Sequence, residues 1–312
     1  MDPYHQCNRL RRTVLVGGVT GLGLAVALAQ RAGVAATGAM PDAAPDSVVA
    51  RAVATLEQLE TEAGGRVGVA ALDLGSGARL AHRGGERFAM CSTFKWLLAA
   101  AVLDRQDRTA GVLDARLHFT REEVLPHSPV TSPHGAGGTR SVRRLCAAVV
   151  EESDNTAANT LLRFIGGPAA LTQFLRDHGD LVTRLDRIEM ALNENALDDP
   201  RDTTTPAAMV GTLRTLLLGD ALSAASREQL LTWMRQCRTG ADRLRAGLPA
   251  AWRAGDKTGT GARGAVNDVA IAWPPGRPPI LVAAYLSDSS ASVEALSAIQ
   301  ARIGTAVASA FA

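Results

Sequence analysis

Lysine is almost absent from this sequence of 312 residues. Of its 33 basic residues, only Lys95 and Lys257 are lysine. The basic residues are spread along the chain and the formal net charge is only +2, so no basic stripe of the kind that binds nucleic acid is present. The six histidines show no HxH or HExxH spacing. We therefore expect no metal site and no cofactor, and no nucleic-acid partner.

Cysteine is also scarce, with four residues at positions 7, 91, 146 and 237. Their spacing matches neither a zinc pattern nor a compact disulfide framework. Cys146 lies in an apolar helical pattern, which predicts a buried thiol. We do not expect the fold to depend on disulfides.

Residues 1–36 are predicted to be an export signal. Arg11 and Arg12 precede an apolar stretch over residues 14–29, and small residues follow at candidate cleavage sites. The two arginines are compatible with a twin-arginine signal and with an ordinary secretory signal. Residues 37–46 are predicted to be a flexible lead-in. No later segment reaches the length of a membrane span, so we expect none in the mature protein. We also expect the exported protein to be periplasmic and monomeric.

Strand patterns occur near both ends of the predicted mature chain. Residues 66–74 alternate as a strand does, and similar patterns return at 266–273 and 280–286. Helical patterns dominate from about residue 140 to 236. Strands at both ends with helices between them predict one sheet completed by both ends of the chain, with an inserted helical lobe.

Three further segments have clear helical patterns. Apolar residues recur at helical spacing over residues 47–63 and 293–310, and residues 94–103 are apolar on nearly every face, which predicts a buried helix. Residues 187–206 lack such periodicity and are rich in Asp, Asn and Thr. Loops of this length are usually functional or disordered.

Ser92 and Lys95 form an S-x-x-K motif at the start of the buried helical segment. Residues three apart lie on one helix face, so the hydroxyl and the amine can meet. A serine hydroxyl becomes a good nucleophile when an adjacent base, such as a desolvated lysine, removes its proton. The motif is common by chance, but here it contains one of only two lysines.

Two other short motifs follow along the chain. An S-D-N motif at residues 153–155 lies within a helical stretch, where a polar helix end or turn is the simpler interpretation. A K-T-G motif at residues 257–259 precedes a strand and contains the second lysine. A cation and a hydroxyl there can hold a substrate carboxylate, while the glycine allows close backbone approach.

The order S-x-x-K, S-D-N and K-T-G resembles the signature shared by class A β-lactamases and penicillin-binding proteins. The residues at 91–95, 153–159 and 201–206 are similar to class A enzymes, and the similarity runs from about residue 46 to the C-terminus. The resemblance implies hydrolysis of the amide bond of β-lactam antibiotics, a small-molecule substrate, through a covalent acyl-serine intermediate.

The resemblance and the patterns together predict an α/β (α+β) fold. We expect a mixed, mainly antiparallel five-stranded sheet flanked by helices, with the active site in the cleft beside an inserted all-helical lobe. The α/β lobe would comprise residues 47–86 and 235–312, and the all-helical lobe residues 87–234. The second lobe would include an Ω-type loop at 187–206.

The resemblance also implies a role for each matching residue. The implied catalytic residues are Ser92, Lys95, Ser153 and Glu189. The implied substrate-binding residues are Asn155, Asn193, Arg243, Lys257, Thr258, Gly259, Thr260 and His127. The backbone N–H groups of Ser92 and Thr260 would receive the oxyanion. Either Lys95, or Glu189 through a water, would take the serine proton, and Ser153 would protonate the departing ring nitrogen.

Glu189 separates the two related families. Class A enzymes carry a glutamate and an asparagine in this loop, here Glu189 and Asn193, which hold the water that hydrolyses the acyl-enzyme. Penicillin-binding proteins lack that carboxylate. Taken alone, Glu189 would be read as a solvated charge, but its spacing to Asn193 and to Arg201 and Asp202 favours the class A role. The resemblance further implies that Arg187 pairs with Asp202 across the neck of the loop.

Two other functions compete with this one. A DD-peptidase of the penicillin-binding group would be acylated without rapid turnover. A β-lactam sensor domain would acylate and signal, but it normally needs a membrane span to transmit its state.

The sequence departs from familiar class A members at three positions. Val266 stands where many members have an arginine, and Arg243 matches a subgroup in which an arginine from the preceding segment takes that role. Carbapenem-hydrolysing members bond the cysteine before the nucleophile to a cysteine after K-T-G, but the partner of Cys91 would be Gly261. His127 replaces an aromatic residue at the cleft edge, where it would stack on substrate or lie at the surface.

Overall fold

The computed structural model describes residues 45–132 and 137–312. The predicted export signal and most of the predicted lead-in lie outside the described residues. The helices of the described part are α1 (Pro45–Ala63), α2 (Phe94–Arg108), α3 (Val142–Glu151), α4 (Asn155–Ile165), α5 (Pro168–Asp177), α6 (Pro206–Leu218), α7 (Ala224–Arg235) and α8 (Val293–Ala310). The strands are β1 (Arg66–Asp73), β2 (Arg79–His82), β3 (Phe88–Ala89), β4 (Arg116–Phe119), β5 (Gly138–Ser141), β6 (Thr203–Thr204), β7 (Arg253–Thr260), β8 (Val266–Trp273) and β9 (Ile280–Ser287).

Five strands form one antiparallel sheet in the order β2-β1-β9-β8-β7. The first two strands of the chain and the last three complete it together, as predicted. Every residue of the central strand β9 is buried. Helices cover both faces of the sheet, and a strand in that position needs an almost continuously apolar sequence.

Alternate side chains of β8 pack into two different hydrophobic cores, one on each face of the sheet. Val269 and Ile271 pack into the core shared with α2, α3 and α4. Val266 and Ala270 pack on the opposite face, against α1 and α8. This alternation is the two-residue period of a strand. Lys257 of the neighbouring strand β7 pairs with Val269. Its side chain therefore lies on the same side of the sheet as Val269, the side that faces the helical core.

The inserted segment is not purely helical, in contrast to the prediction. β3 pairs with β6, and β4 pairs with β5, so two small antiparallel sheets lie within it. The β3–β6 pair has only two residues per strand, too few to produce a recognisable alternation. This pair joins the segment that precedes Ser92 to the end of the 187–206 loop.

The boundaries of two helices differ from the predicted ones. α1 begins at Pro45, two residues before the predicted start, and α2 continues to Arg108 rather than ending near residue 103. The S-D-N motif does not lie inside a helix. Ser153 and Asp154 form the break between α3 and α4, and Asn155 begins α4.

Candidate active site

A cavity of about 370 Å³ brings the three motifs together. Its lining residues are Ser92, His127, Ser153, Asn155, Met190, Asn193, Thr239, Arg243, Thr258, Gly259 and Thr260. Lys95, Glu189 and Lys257 are buried, and they contact the lining residues from behind. The cavity thus contains or adjoins every side chain that the sequence implied for the site.

Ser92 lies in a single 3₁₀ turn, Cys91–Thr93, that leads into α2. The preceding residue Met90 is held by Asn267, whose Nδ2 donates to the carbonyl oxygens of Ala89 at 2.9 Å and Met90 at 3.2 Å. Gly259 allows β7 to approach this turn, because a Cβ at that position would lie 2.7 Å from the Met90 carbonyl oxygen. Ser92 is therefore fixed against the sheet.

The Ser92 hydroxyl lies beside two buried groups of opposite charge. Its Oγ donates to Glu189 Oε1 at 3.3 Å. The same carboxylate oxygen is 2.9 Å from Lys95 Nζ, and both side chains are fully buried. Since the ion pair is excluded from water, its electrostatic coupling is strong.

Lys95 has three further polar partners besides Glu189. Its Nζ donates to the Ser153 carbonyl oxygen at 2.8 Å, to Ser153 Oγ at 3.4 Å and to Asn155 Oδ1 at 2.5 Å. Burial lowers the pKa of Lys95, although the adjacent Glu189 carboxylate acts in the opposite direction. The amine therefore gives up its proton more readily than an exposed lysine would.

Ser153 occupies the strained turn between α3 and α4, with a φ of 59°. Such left-handed backbone in a residue other than glycine is costly, and it is concentrated at functional sites. Asp154, buried behind it, caps α4 by accepting from Ala157 N and also accepts from Val130 N and Thr131 N. The middle residue of the motif is thus structural, and it holds the turn in place.

Lys257 projects from β7 to the other side of Ser153. Its Nζ donates to Ser153 Oγ at 3.0 Å and to the Thr258 carbonyl oxygen at 2.7 Å. Complete burial lowers the pKa of Lys257 to about 7. Two amine groups therefore lie within hydrogen-bond distance of one serine oxygen.

The loop at 187–206 delivers Glu189 to the cavity. Asn193 Nδ2 donates to Glu189 Oε2 at 2.6 Å, so the two loop side chains face the same space beside Ser92. Asn159 on α4 holds the backbone of Glu189: its Nδ2 donates to the Glu189 carbonyl oxygen at 2.8 Å, and its Oδ1 accepts from Glu189 N at 2.9 Å.

An ion pair closes the neck of this loop, as the resemblance implied. Arg187 Nε lies 2.5 Å from Asp202 Oδ2, and Asp202 is fully buried. The other carboxylate oxygen of Asp202 accepts from the N–H groups of Asp186 and Arg187, at 2.8 and 2.9 Å. The two ends of the loop are thereby joined through one carboxylate.

Arg243 is buried beneath the end of β7. Its guanidinium donates to the carbonyl oxygens of Gly259 and Asn267, at 2.9 and 2.8 Å, and to Thr260 Oγ1 at 2.7 Å. Val266 on β8 stands where many class A members have an arginine. It pairs with Thr260 of β7 and is buried. Arg243 therefore supplies positive charge beside Thr260 from the segment preceding β7.

Cys91, Cys146 and Cys237 are buried free thiols in the described part of the chain. Gly261 contacts Cys91 so closely that a Cβ there would lie 2.6 Å from the Cys91 sulfur. His127 is exposed at the cavity edge, and its Nε2 lies 3.1 Å from the Glu152 carbonyl oxygen.

Four residues of the site were missed by the sequence analysis: Asn159, Met190, Thr239 and Asn267. Asn159 follows Asn155 by four residues, which places both on one face of α4 and could have identified it. Thr239 and Asn267 come from separate segments, and no local pattern distinguishes them.

Known proteins are similar to this chain over most of its length. A family model described as "Beta-lactamase enzyme family" matches residues 50–311. Beta-lactamase L2 of Stenotrophomonas maltophilia is 46% identical over 270 residues, which is 86% of this chain and 89% of that protein. Carbapenem-hydrolyzing beta-lactamase KPC of Klebsiella oxytoca is 47% identical over 73% of this chain and 78% of that protein. The solved structure of an ancestral class A beta-lactamase is 58% identical, with a TM-score of 0.80, over 82% of this chain and 98% of that one.

Proposed function

The chain belongs to the beta-lactamase enzyme family, and we propose that Ser92 is the nucleophile through which it hydrolyses β-lactam antibiotics. It is a class A β-lactamase, a hydrolase that confers antibiotic resistance. The observation that carries the proposal is the contact between Ser92 Oγ and the buried Glu189 carboxylate at 3.3 Å.

In the acylation step, Ser92 Oγ attacks the lactam carbonyl carbon and Glu189 accepts the hydroxyl proton. Glu189 is the base that the Ser92 hydroxyl already contacts, and Lys95 at 2.9 Å stabilises its charged form. The carbonyl oxygen becomes an oxyanion, which the backbone N–H groups of Ser92 and Thr260 stabilise. Both residues line the cavity.

When the lactam C–N bond breaks, the ring nitrogen takes a proton from Ser153. A hydroxyl has one proton to donate and two lone pairs that accept. Lys95 and Lys257 both donate to Ser153 Oγ, at 3.4 and 3.0 Å. The Ser153 proton is therefore free to move to the leaving nitrogen. Lys95 then restores it and recovers its own proton from Glu189 at 2.9 Å, so that Glu189 is a carboxylate again before deacylation.

The substrate carboxylate binds at Lys257 and Thr258, with Arg243 adding positive charge beside Thr260. An ammonium group and a hydroxyl give charge-assisted hydrogen bonds to a carboxylate. Gly259 keeps this edge of β7 close to Ser92. Asn155, whose Oδ1 holds Lys95, and His127 at the cavity edge complete the substrate-binding set.

In deacylation, Glu189 and Asn193 hold a water against the acyl-serine carbonyl. Glu189 removes a proton from the water as it attacks, and Ser92 leaves with that proton. This step separates the proposed activity from that of a DD-peptidase, which would remain acylated. Sustained hydrolysis of a chromogenic cephalosporin, abolished in Ser92→Ala, tests the assignment. Turnover of Ser92→Ala near the wild-type rate would refute it.

We further propose that the mature protein is a periplasmic monomer and that its site lies between two lobes, residues 47–86 with 235–312 and residues 87–234. No helix in the described residues is both long and apolar enough to cross a membrane. Cell fractionation with antibody detection tests the location. A pair of lysines in place of Arg11 and Arg12 tests the route, because retention of this variant in the cytoplasm would support twin-arginine export.

A further inference from the structure

Cys237 lies at the inner end of a row of hydrogen-bonded groups that reaches the substrate cavity. It follows α7 and is 3% exposed. Its N–H donates to the Met234 carbonyl oxygen at 3.2 Å, and its own carbonyl oxygen accepts from Arg245 Nη2 at 2.8 Å. Because both backbone polar groups are hydrogen-bonded, the main chain that carries the sulfur is fixed.

Two threonine hydroxyls connect this sulfur to the cavity. The distance from Cys237 Sγ to Thr239 Oγ1 is 3.3 Å, and that from Thr239 Oγ1 to Thr258 Oγ1 is 2.5 Å. Thr239 and Thr258 both line the cavity, together with Ser92. The thiol itself is buried behind them, where it cannot touch a ligand.

Each group in this row has only one proton, so the directions of the hydrogen bonds depend on one another. To bind a carboxylate, Thr258 must direct its proton into the cavity. Thr258 can then only accept from Thr239, and Thr239 must use its own proton for that bond. The Thr239 oxygen is left as an acceptor for the thiol of Cys237.

The thiol is suited to be the terminal donor. Burial raises the pKa of Cys237 to about 11, so the sulfur keeps its proton throughout the neutral range. Its second neighbour is the buried carboxyl of Asp256, whose negative charge also raises the pKa of the thiol. Asp256 has another partner, Arg245, whose Nη2 lies 2.9 Å from its Oδ1. The thiol proton can therefore turn to Thr239 when an anion enters the cavity.

We propose that Cys237 is a positioning residue for substrate binding, whose thiol orients Thr239 and Thr258 so that the Thr258 proton faces the carboxylate of the β-lactam. The proposal rests on the proposed binding of that carboxylate at Lys257 and Thr258. Cys237 does not touch substrate and takes no part in bond breaking. Its loss should therefore weaken binding and leave the chemical steps unchanged.

The test measures kcat and KM for a penicillin in Cys237→Ala and Cys237→Ser. Loss of one neutral hydrogen bond should raise KM about fivefold. We expect this increase for Cys237→Ala, with kcat unchanged. Cys237→Ser should restore the wild-type KM to within about twofold, because a hydroxyl donates to Thr239 as the thiol does. Cys146→Ala, which removes another buried thiol, is the matched control and should change neither constant.

A double variant separates orientation from a general packing defect. If Cys237 acts only through Thr239, then Cys237→Ala combined with Thr239→Val should have the same KM as Thr239→Val alone, whereas independent defects would multiply. An unchanged KM in Cys237→Ala, an unrestored KM in Cys237→Ser, or multiplying effects would each overturn the proposal. Should Cys237→Ala fail to fold, Cys237→Val, which fills the space without a donor, takes its place. Failure of the proposed function would instead appear as a wild-type protein that does not turn over penicillin.

Discussion

Replacement of Asn159 by alanine should both destabilise the protein and stall its reaction after acylation. The Asn159 side chain satisfies both backbone polar groups of Glu189, with contacts of 2.8 and 2.9 Å. Each such hydrogen bond contributes about 1 kcal/mol net. The free energy of unfolding should therefore fall by about 2 kcal/mol, and by up to about 4 kcal/mol if neither backbone group finds water.

The effect on the activation free energy should be of similar size, since a fall in rate of about 100-fold corresponds to about 2.7 kcal/mol. Glu189 must hold a water beside the acyl-serine, and a displacement of about 1 Å can reduce the rate about 100-fold. We therefore expect kcat to fall about 100-fold, with a burst of product equal to the enzyme concentration, because acylated Ser92 accumulates. Urea unfolding and stopped-flow hydrolysis of a chromogenic cephalosporin measure the two effects.

Thr160→Val is the matched control, since the Thr160 hydroxyl donates within α4, to the Thr156 carbonyl oxygen at 2.8 Å. This substitution should lower the free energy of unfolding by about 1 kcal/mol and leave kcat unchanged. A variant of Asn159 that loses the expected stability but keeps a kcat within about threefold of wild type would refute the positioning role.

Three other perturbations probe the site. Asp202→Asn should lower the free energy of unfolding by about 3 kcal/mol, because Arg187 loses a buried partner, and it should open the loop to limited proteolysis; an unchanged cleavage rate would contradict this. The kcat/KM for a penicillin should fall as pH rises above about 7, because Lys257 then loses the proton that binds the carboxylate; a profile that stays flat above neutral pH would argue against that role. Gly259→Ala should slow single-turnover acylation about 100-fold, since its Cβ would lie 2.7 Å from the Met90 carbonyl oxygen; acylation at the wild-type rate would show that β7 can move without cost.

Long elements with a regular apolar period were predicted accurately from the sequence. The bounds of β8 and α8 agree with the predicted residues 266–273 and 293–310. α8 is buried along one face, as its pattern indicates, whereas β8 is buried on both faces of the sheet. The short β3–β6 pair escaped prediction, because its partners are more than a hundred residues apart and two residues show no period.

The motif residues of the site were predictable because each motif is contiguous and the two lysines are rare. The residues that hold those motifs were not. Asn267 acts on Met90 across 177 positions of sequence, and Thr239 meets Thr258 from a separate segment. An isolated asparagine or threonine has no local feature that separates such a contact from a solvated surface position.

The central claim is that Ser92 forms a covalent intermediate which Glu189 removes. Intact-mass spectrometry after mixing with a penicillin tests it most directly, with wild type, Glu189→Ala and Ser92→Ala compared at matched times. The account predicts a persistent adduct of one penicillin on Glu189→Ala, none on Ser92→Ala, and none remaining on wild type once the substrate is consumed. Rapid loss of the adduct from Glu189→Ala, or an adduct on Ser92→Ala, would contradict it.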